Sequence, residues 1–375
     1  MMNITRNTEL WLPNYLKHCL TRKAAVPSNS PIDIFISICD HYEPLWNHAD
    51  KDTGLKRVQE WCAGYPKIAA RHKGANGTLP KYTFFYPSEE YYPEAMDMLA
   101  DLAHNGYGEV EVHLHHDNDT SENLRKTLIE FKEILSEKHG LLSKDRETGE
   151  IKYGFVHGNW ALCNSRPDSR MCGVNDELDI LKSTGCYADF TMPSAPDITQ
   201  TSKINSIYYA EIGTNAPKAH NRGTDAEYGK NDNEGLLMVQ GPLTLNWKNR
   251  KYGVAPRIEN SELSYKNPIT PQRVKLWINA NIHVKNSPDH IFIKLHTHGC
   301  QEKNSEYLLN GGLADLFFYF NNNYNDGTNY RTHFVTAREM VNVVKALEDG
   351  VVDNVKKMRE YRLVRNKEWS MVDSQ

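Results

Sequence analysis

The chain has 375 residues, 39% hydrophobic and 25% charged, with 23 Gly and 17 Pro, which excludes a disordered or collagen-like polymer. A net charge of −4 argues against a broad basic surface for nucleic acid, and no run of about 18 apolar residues is present to form a transmembrane segment. Seven cysteines, an odd number with no CxxC pair, fit reduced thiols in a cytoplasmic protein better than a disulfide framework.

Residues 1–31 are read as an N-terminal helical extension. Glu9, Lys17 and Arg22 interrupt its apolar residues, so it lacks the continuous core of an export signal. From residue 32 onward short apolar runs alternate with amphipathic ones. Strands are predicted at Ile32 to Cys39, Tyr82 to Tyr86, Glu109 to His115, Tyr153 to His157 and Tyr187 to Met192. Helices are predicted between them: Gly54 to His72, Pro93 to His104, Thr120 to His139 (Thr120 as cap, Gly140 as stop) and Asp176 to Thr184. A less regular stretch, 193–271, is rich in Asn, Gly and Lys and carries strands near Ile207 to Ile212 and Leu236 to Gln240. Periodicity returns with a helix over Gln272 to His283, a strand at Ile291 to His296 and a helix around Ser305 to Phe320. A strand at His333 to Val335 and a helix over Ala337 to Leu347 complete the pattern.

Such alternation predicts parallel βαβ units and an α/β fold. No GxGxxG follows the first strand and no GxxxxGK[ST] occurs, so the usual phosphate-cradling loops are missing. A (β/α) barrel is therefore expected over residues 32–350, with 193–271 as an insertion or lid over its mouth. Residues 351–375 read as a charged tail, either a solvated helix or a mobile end.

Three segments carry candidate chemistry. In EVEVHLHHDND, Glu109 to Asp119, Val110, Val112 and Leu114 should face the outer helices, which turns Glu111, His113 and His115 inward. With His116, Asp117 and Asp119 just beyond, this is a dense imidazole and carboxylate cluster. It suits a divalent transition metal, most simply Zn²⁺, with Fe, Co, Ni or Mn as alternatives. In ICDHYEP, Ile38 to Pro44, Asp40 is a metal ligand or general base and His41 a ligand, with Glu43 orienting either. In IFIKLHTHG, Ile291 to Gly299, His296 and then His298 face inward, and an imidazole there suits protonation of a leaving group. His157, Asn159 and Trp160 in FVHGNW are candidate substrate contacts with His298, Trp160 as a face for a sugar ring.

Together these segments resemble the polysaccharide deacetylase family, the NodB-homology carbohydrate esterases, over roughly residues 32–345. The resemblance implies a distorted (β/α)7-type barrel and a metal held by one Asp and two His, with a carboxylate base and a late-strand His acid. Ser37-Ile38-Cys39-Asp40 resembles the family's first motif, Thr-Phe-Asp-Asp. On that alignment Asp40 inherits the metal ligand and Cys39 stands at the base position; a one-residue shift makes Asp40 the base and His41 the ligand. His113-Leu114-His115-His116-Asp117 resembles His-Ser/Thr-x-x-His, with His113 matching and Asp117 at the second His. The second ligand is then Asp117, His115 or His116. Lys294-Leu295-His296 resembles the last motif and gives His296 the acid role. The implied activity is removal of an N-acetyl or O-acetyl group from a sugar or glycan precursor, with Asp40 or Asp117 as base.

Other readings remain: a phosphoesterase or amidohydrolase barrel, whose HxH usually sits on the first strand; a glycosidase-like barrel; or a catalytically degenerate carbohydrate-binding barrel, which Cys39 at the base position favours.

Overall fold

Along the first strand, Ile32, Ile34, Ile36 and Ile38 belong to one buried apolar cluster and Phe35 and Cys39 to another. Successive side chains of a strand point to opposite faces, so this division marks a sheet packed on both sides. The computed structural model describes residues 6–21 and 30–366. In chain order the elements are α1 (Leu12–Thr21), β1 (Ile32–His41), α2 (Lys51–Ala69), β2 (Tyr82–Pro87), α3 (Pro93–His104), β3 (Gly108–Leu114) and α4 (Ser121–Glu133). There follow β4 (Ser143–Asp145), β5 (Ile151–His157), α5 (Glu177–Thr184), β6 (Cys186–Asp189), β7 (Ile207–Ala210), β8 (Gly223–Asp225) and β9 (Leu236–Val239). The last group is β10 (Thr244–Lys251), β11 (Ala255–Glu259), α6 (Pro271–Ala280), β12 (His290–Thr297), α7 (Glu302–Tyr307), α8 (Leu313–Asn323), β13 (Tyr330–Phe334), α9 (Ala337–Glu348), α10 (Val355–Met358) and β14 (Leu363–Arg365).

Several ends follow the sequence signals. Asp50 accepts the Thr53 N–H at the start of α2, Thr120 accepts that of Asn123 at the start of α4, and Gly185 closes α5 with φ 106°. The helix expected around Ser305 to Phe320 is broken instead, because Gly311 takes φ 148° between α7 and α8.

The main sheet has 12 strands. β12, β1, β2, β3, β5, β6 and β9 are parallel neighbours in that order. β7 and β8 continue it antiparallel, β13 pairs with the first half of β1, and β10 with β11 forms a separate two-stranded sheet. Residues of α2 to α6 and α8, among them Trp61, Leu99, Leu128, Leu181, Trp277 and Phe317, cover one face. The opposite face is filled by α9 through Val341, Val344 and Leu347. The predicted α/β architecture with a mostly parallel sheet is thus present. Main-chain pairing does not close it into a ring among the described residues: the order ends at β12 and at β8. At His296 the free side of β12 is taken by the 261–263 segment, with Leu263 N donating to His296 O at 2.8 Å and His296 N to Ser261 O at 3.2 Å.

The stretch 193–271 is more than a lid, since β9 inside it pairs parallel with β6. The charged tail also differs from expectation as far as residue 366. β14 pairs with β4, and buried Arg359 bonds Glu339 at 2.7 Å. Residues 367–375, like 1–5 and 22–29 of the N-terminal extension, lie outside the described residues. α1 is preceded by Trp11, which is buried with Ala195, Ile204 and Leu243 and so ties the extension to the body.

Glu339 forms a capping box with Thr336 at the start of α9 and also holds Lys81 and Arg359. Burial opposes its charge, yet Arg359, Lys81 and Arg338 outweigh burial and hold the carboxyl well below its ordinary value. A folded-state pKa below the unfolded one stabilises fully above the unfolded value and loses that contribution as pH falls through the folded value. Glu339→Gln, which leaves buried cations uncompensated, is expected to cost about 3–5 kcal/mol at pH 7. Urea denaturation should show this gap, closing only in acid well below the ordinary carboxylate range; a loss under about 1 kcal/mol contradicts the account.

Candidate metal centre

The strand pleat decides which side chains reach the rim of the sheet. Val110, Val112 and Leu114 of β3, and Ile291, Ile293 and Leu295 of β12, join the helix-facing cluster. Glu111 and His113, and Lys294 and His296, therefore point to the other face, as the alternation predicts. On β1, Ile38 faces the helices and so does Asp40 two residues on, while Cys39 and His41 take the opposite side.

His41, Glu43 and His298 bring one ligand atom each within 4.8 Å of one another, and Glu43, His113 and His115 do the same, so Glu43 is common to both groups. Its Oε1 lies 3.4 Å from His113 Nε2 and 3.6 Å from His115 Nε2. His113 Nδ1 donates to the Val156 carbonyl at 2.7 Å. In the neutral ring that leaves Nε2 with a lone pair, facing a carboxylate oxygen. Two acceptors so close need a proton or a metal ion between them. The His41 ring centroid is 5.0 Å from that of His113, 4.7 Å from His298 and 6.2 Å from His296. His41 Nε2 and His296 Nδ1 are both buried without a hydrogen-bond partner.

The electrostatics suit a cation. Burial, followed by the His298 and His113 imidazoles, drives His41 well below its ordinary value, and burial with Lys294 does the same to His296. Both rings are neutral at pH 7, the form that ligates metals. Burial raises Glu43, but His113, His298 and His115 outweigh it and keep the carboxylate ionised. Imidazoles with one carboxylate, the buried His41 Nε2 orphaned among them, fit a divalent ion of borderline softness.

Of the residues singled out in the sequence, His41, His113, His115 and His298 are together, His296 lies beside His41, and Trp160 meets His298 edge-on at 6.4 Å. Asp40 lies apart from them, behind the strand. It accepts Gly299 N–H at 2.7 Å and Tyr82 O–H at 3.0 Å, and burial lifts it to about 7 against these bonds. Asp117 is exposed and bound to Arg170, whose hydrogen bonds lower it to about 2. Asn159 is exposed. Cys39 is buried and its thiol is pushed up to about 12, so it offers no thiolate. His116 and His157 belong to another group, with Cys172 and Glu177. The pleat explains His157: it follows Tyr153 and Phe155, which face the helices.

Sequence reasoning had Glu43 only as an orienting group, and it missed Glu89, which accepts from His115 N at 3.0 Å and meets its Nδ1 at 2.6 Å. Glu89 sits two residues after β2, and the acidic pair Glu89-Glu90 at a strand end was the available signal. The chain matches no protein-family model and no curated protein. Among the described residues no helix is long and apolar enough to cross a membrane.

Gly299 shows how tightly Asp40 is built in: a Cβ there would stand 2.1 Å from Asp40 Oδ2. Asp40→Ala strands the Gly299 N–H and the Tyr82 O–H in a buried place, which should cost about 2 kcal/mol or more. Bound metal per folded chain should stay at the wild-type level, as measured by elemental analysis beside a thermal melt. Metal loss at unchanged stability would instead place Asp40 among the ligands.

Proposed function

We propose that the chain is a metal-dependent hydrolase that removes an acetyl group from an amino sugar or glycan precursor. The observation that carries this reading is the sharing of Glu43 between His41 and His298 on one side and His113 and His115 on the other, at the ends of parallel strands. Ligands at that end are the usual placement in α/β folds. The run of seven consecutive parallel strands from β12 to β9 suits a distorted (β/α)7-type barrel whose mouth this would be. The sugar part of the reading rests on the motif resemblance and on Trp160, whose ring beside His298 offers an apolar wall.

His41, His113 and His298, grouped around Glu43, would hold the ion, Zn²⁺ in the simplest case, with Fe, Co, Ni or Mn as alternatives. When bound, such an ion polarises an acyl carbonyl and acidifies a water. Glu43, ionised and within reach of the same space, takes the water's proton as the new C–O bond forms. His296, neutral and with an unsatisfied Nδ1, relays a proton to the leaving nitrogen as the C–N bond breaks. This assigns the base to Glu43 rather than to Asp40 or Asp117.

Glu43→Gln keeps the shape but loses the charge. It is expected to reduce acetate release from N-acetylated oligosaccharides at least about 100-fold. His113→Ala should lower metal content as well as activity. Metal-loaded wild type that turns over aryl phosphates and leaves acetylated sugars untouched would replace this reading with a phosphoesterase.

A further inference from the structure

Outside the first centre, the Nε2 atoms of His116 and His157 face each other at 2.9 Å. Neither neutral ring has a proton to place there. His116 Nδ1 is committed to Asp119 Oδ2 at 3.0 Å, and His157 Nδ1 to the Gly158 carbonyl. Glu177 Oε1 stands 3.4 Å from His116 Nε2 and 3.5 Å from His157 Nε2, buried and without a hydrogen-bond partner. Its other oxygen accepts the Cys163 N–H at 2.6 Å. With both rings neutral, three lone pairs converge on one point, and a proton or a metal ion must lie between them. Cys172 Sγ is the fourth atom of the group, all four lying within 4.8 Å of one another. It accepts backbone N–H bonds from Asn164 at 3.2 Å and Val174 at 3.4 Å and, as a thiol, donates to Glu177 Oε2 at 3.4 Å, a proton that a bound metal ion would displace.

We propose that His116, His157, Cys172 and Glu177 form a second metal site, closed and four-coordinate, for a divalent ion of the zinc type. Tetrahedral bonds of about 2.0–2.3 Å set ligand atoms about 3.3–3.8 Å apart, so the His–Glu spacings already fit and the two nitrogens need to part by only a few tenths of an ångström. The outer contacts that fix ligand orientation are complete: a carboxylate on one imidazole, a carbonyl on the other, and main-chain N–H groups on the carboxylate and the sulfur. Cys172, His157 and Glu177 are buried and the His116 side chain is 7% exposed, so no position is open to water or substrate. A full set of protein ligands without an open position is the mark of a structural site.

What it would hold is evident from the backbone. Asn159, Trp160, Cys163, Asn164, Ser169 and Met171 all have φ between 48° and 65°. A left-handed backbone at each of these non-glycine residues is strained, so this segment needs a tie outside itself. The proposed ion fastens it to the loop after β3 and to the start of α5, and thereby fixes Trp160 against His298 of the first centre.

Cobalt substitution separates the two centres, because the residues grouped in the first are imidazoles and carboxylates without a cysteine. Full-length protein produced in cobalt-supplemented medium should hold two ions per chain and show a thiolate-to-Co²⁺ charge-transfer band in the near ultraviolet. Cys172→Ser should lose that band and one ion while keeping the other, with a lower melting temperature; Cys39→Ser should keep both. His113→Ala should lose the other ion and leave the band, so failure of the functional reading is distinct from failure of this one. Folded, cobalt-loaded wild type with no thiolate band overturns the proposal even if Cys172→Ser does not fold.

Discussion

An imidazole that donates from one nitrogen has, in its neutral form, only a lone pair to offer from the other. At the rim of this sheet that constraint is applied three times, to His113 by the Val156 carbonyl, to His116 by Asp119 and to His157 by the Gly158 carbonyl. In each case the unprotonated nitrogen is turned toward a carboxylate oxygen, Glu43 or Glu177. Opposed lone pairs in a buried place are unfavourable unless a cation lies between them. The cation can be a proton, which leaves a charged, strongly hydrogen-bonded pair, or a metal ion, which satisfies several donors at once. The two differ in how many donors they can satisfy. A proton bridges two atoms, whereas each group here gathers three or four.

The opposite end of the sheet handles charge in another way. Glu109 at the start of β3 is bonded by Arg338 and Arg365, and Glu339 by Arg359 and Lys81. These carboxylates are compensated by permanent cations of the chain itself, so they stabilise and orient without needing a ligand. Among the described residues no such cation pairs with Glu43 or Glu177; their ion-pair partners are titratable imidazoles. Arginine at one end and histidine at the other divide the sheet into an end that holds the fold and an end suited to binding.

The pleat made much of this legible in the sequence. Val110, Val112 and Leu114 declared the helix-facing side of β3, and the same parity on β12 put His296 inward. Parity also places Asp40 behind the sheet, in phase with Ile38 and one residue out of phase with His41. Glu43, Glu89 and Cys172 are harder to see because they lie beyond strand ends, where the strand period does not apply, and Glu177 because it opens a helix whose partners are distant in sequence. The tail is illegible for a related reason. Arg359, Arg362 and Arg365 read as solvated charges, but buried or half-buried acids far off in sequence, Glu339, Asp145 and Glu109, give them partners. Composition reports that charges exist; only tertiary contacts report whether they are paired.

The neighbours His115 and His116 show how one short segment can serve two centres. His115 is turned to Glu43 and Glu89, and His116 to His157 and Glu177. Gly158 permits this packing: a Cβ there would stand 2.3 Å from the His115 ring, so the backbone of the 158–173 segment can lie directly against it. Any shift of that segment must therefore move His115 and Trp160 together, and both border the first centre. A tight, closed site on one side of the His115–His116 pair would fix the geometry of the more open one on the other. A strained loop can then line a reactive centre without the cost of that strain being met by the reactive residues themselves.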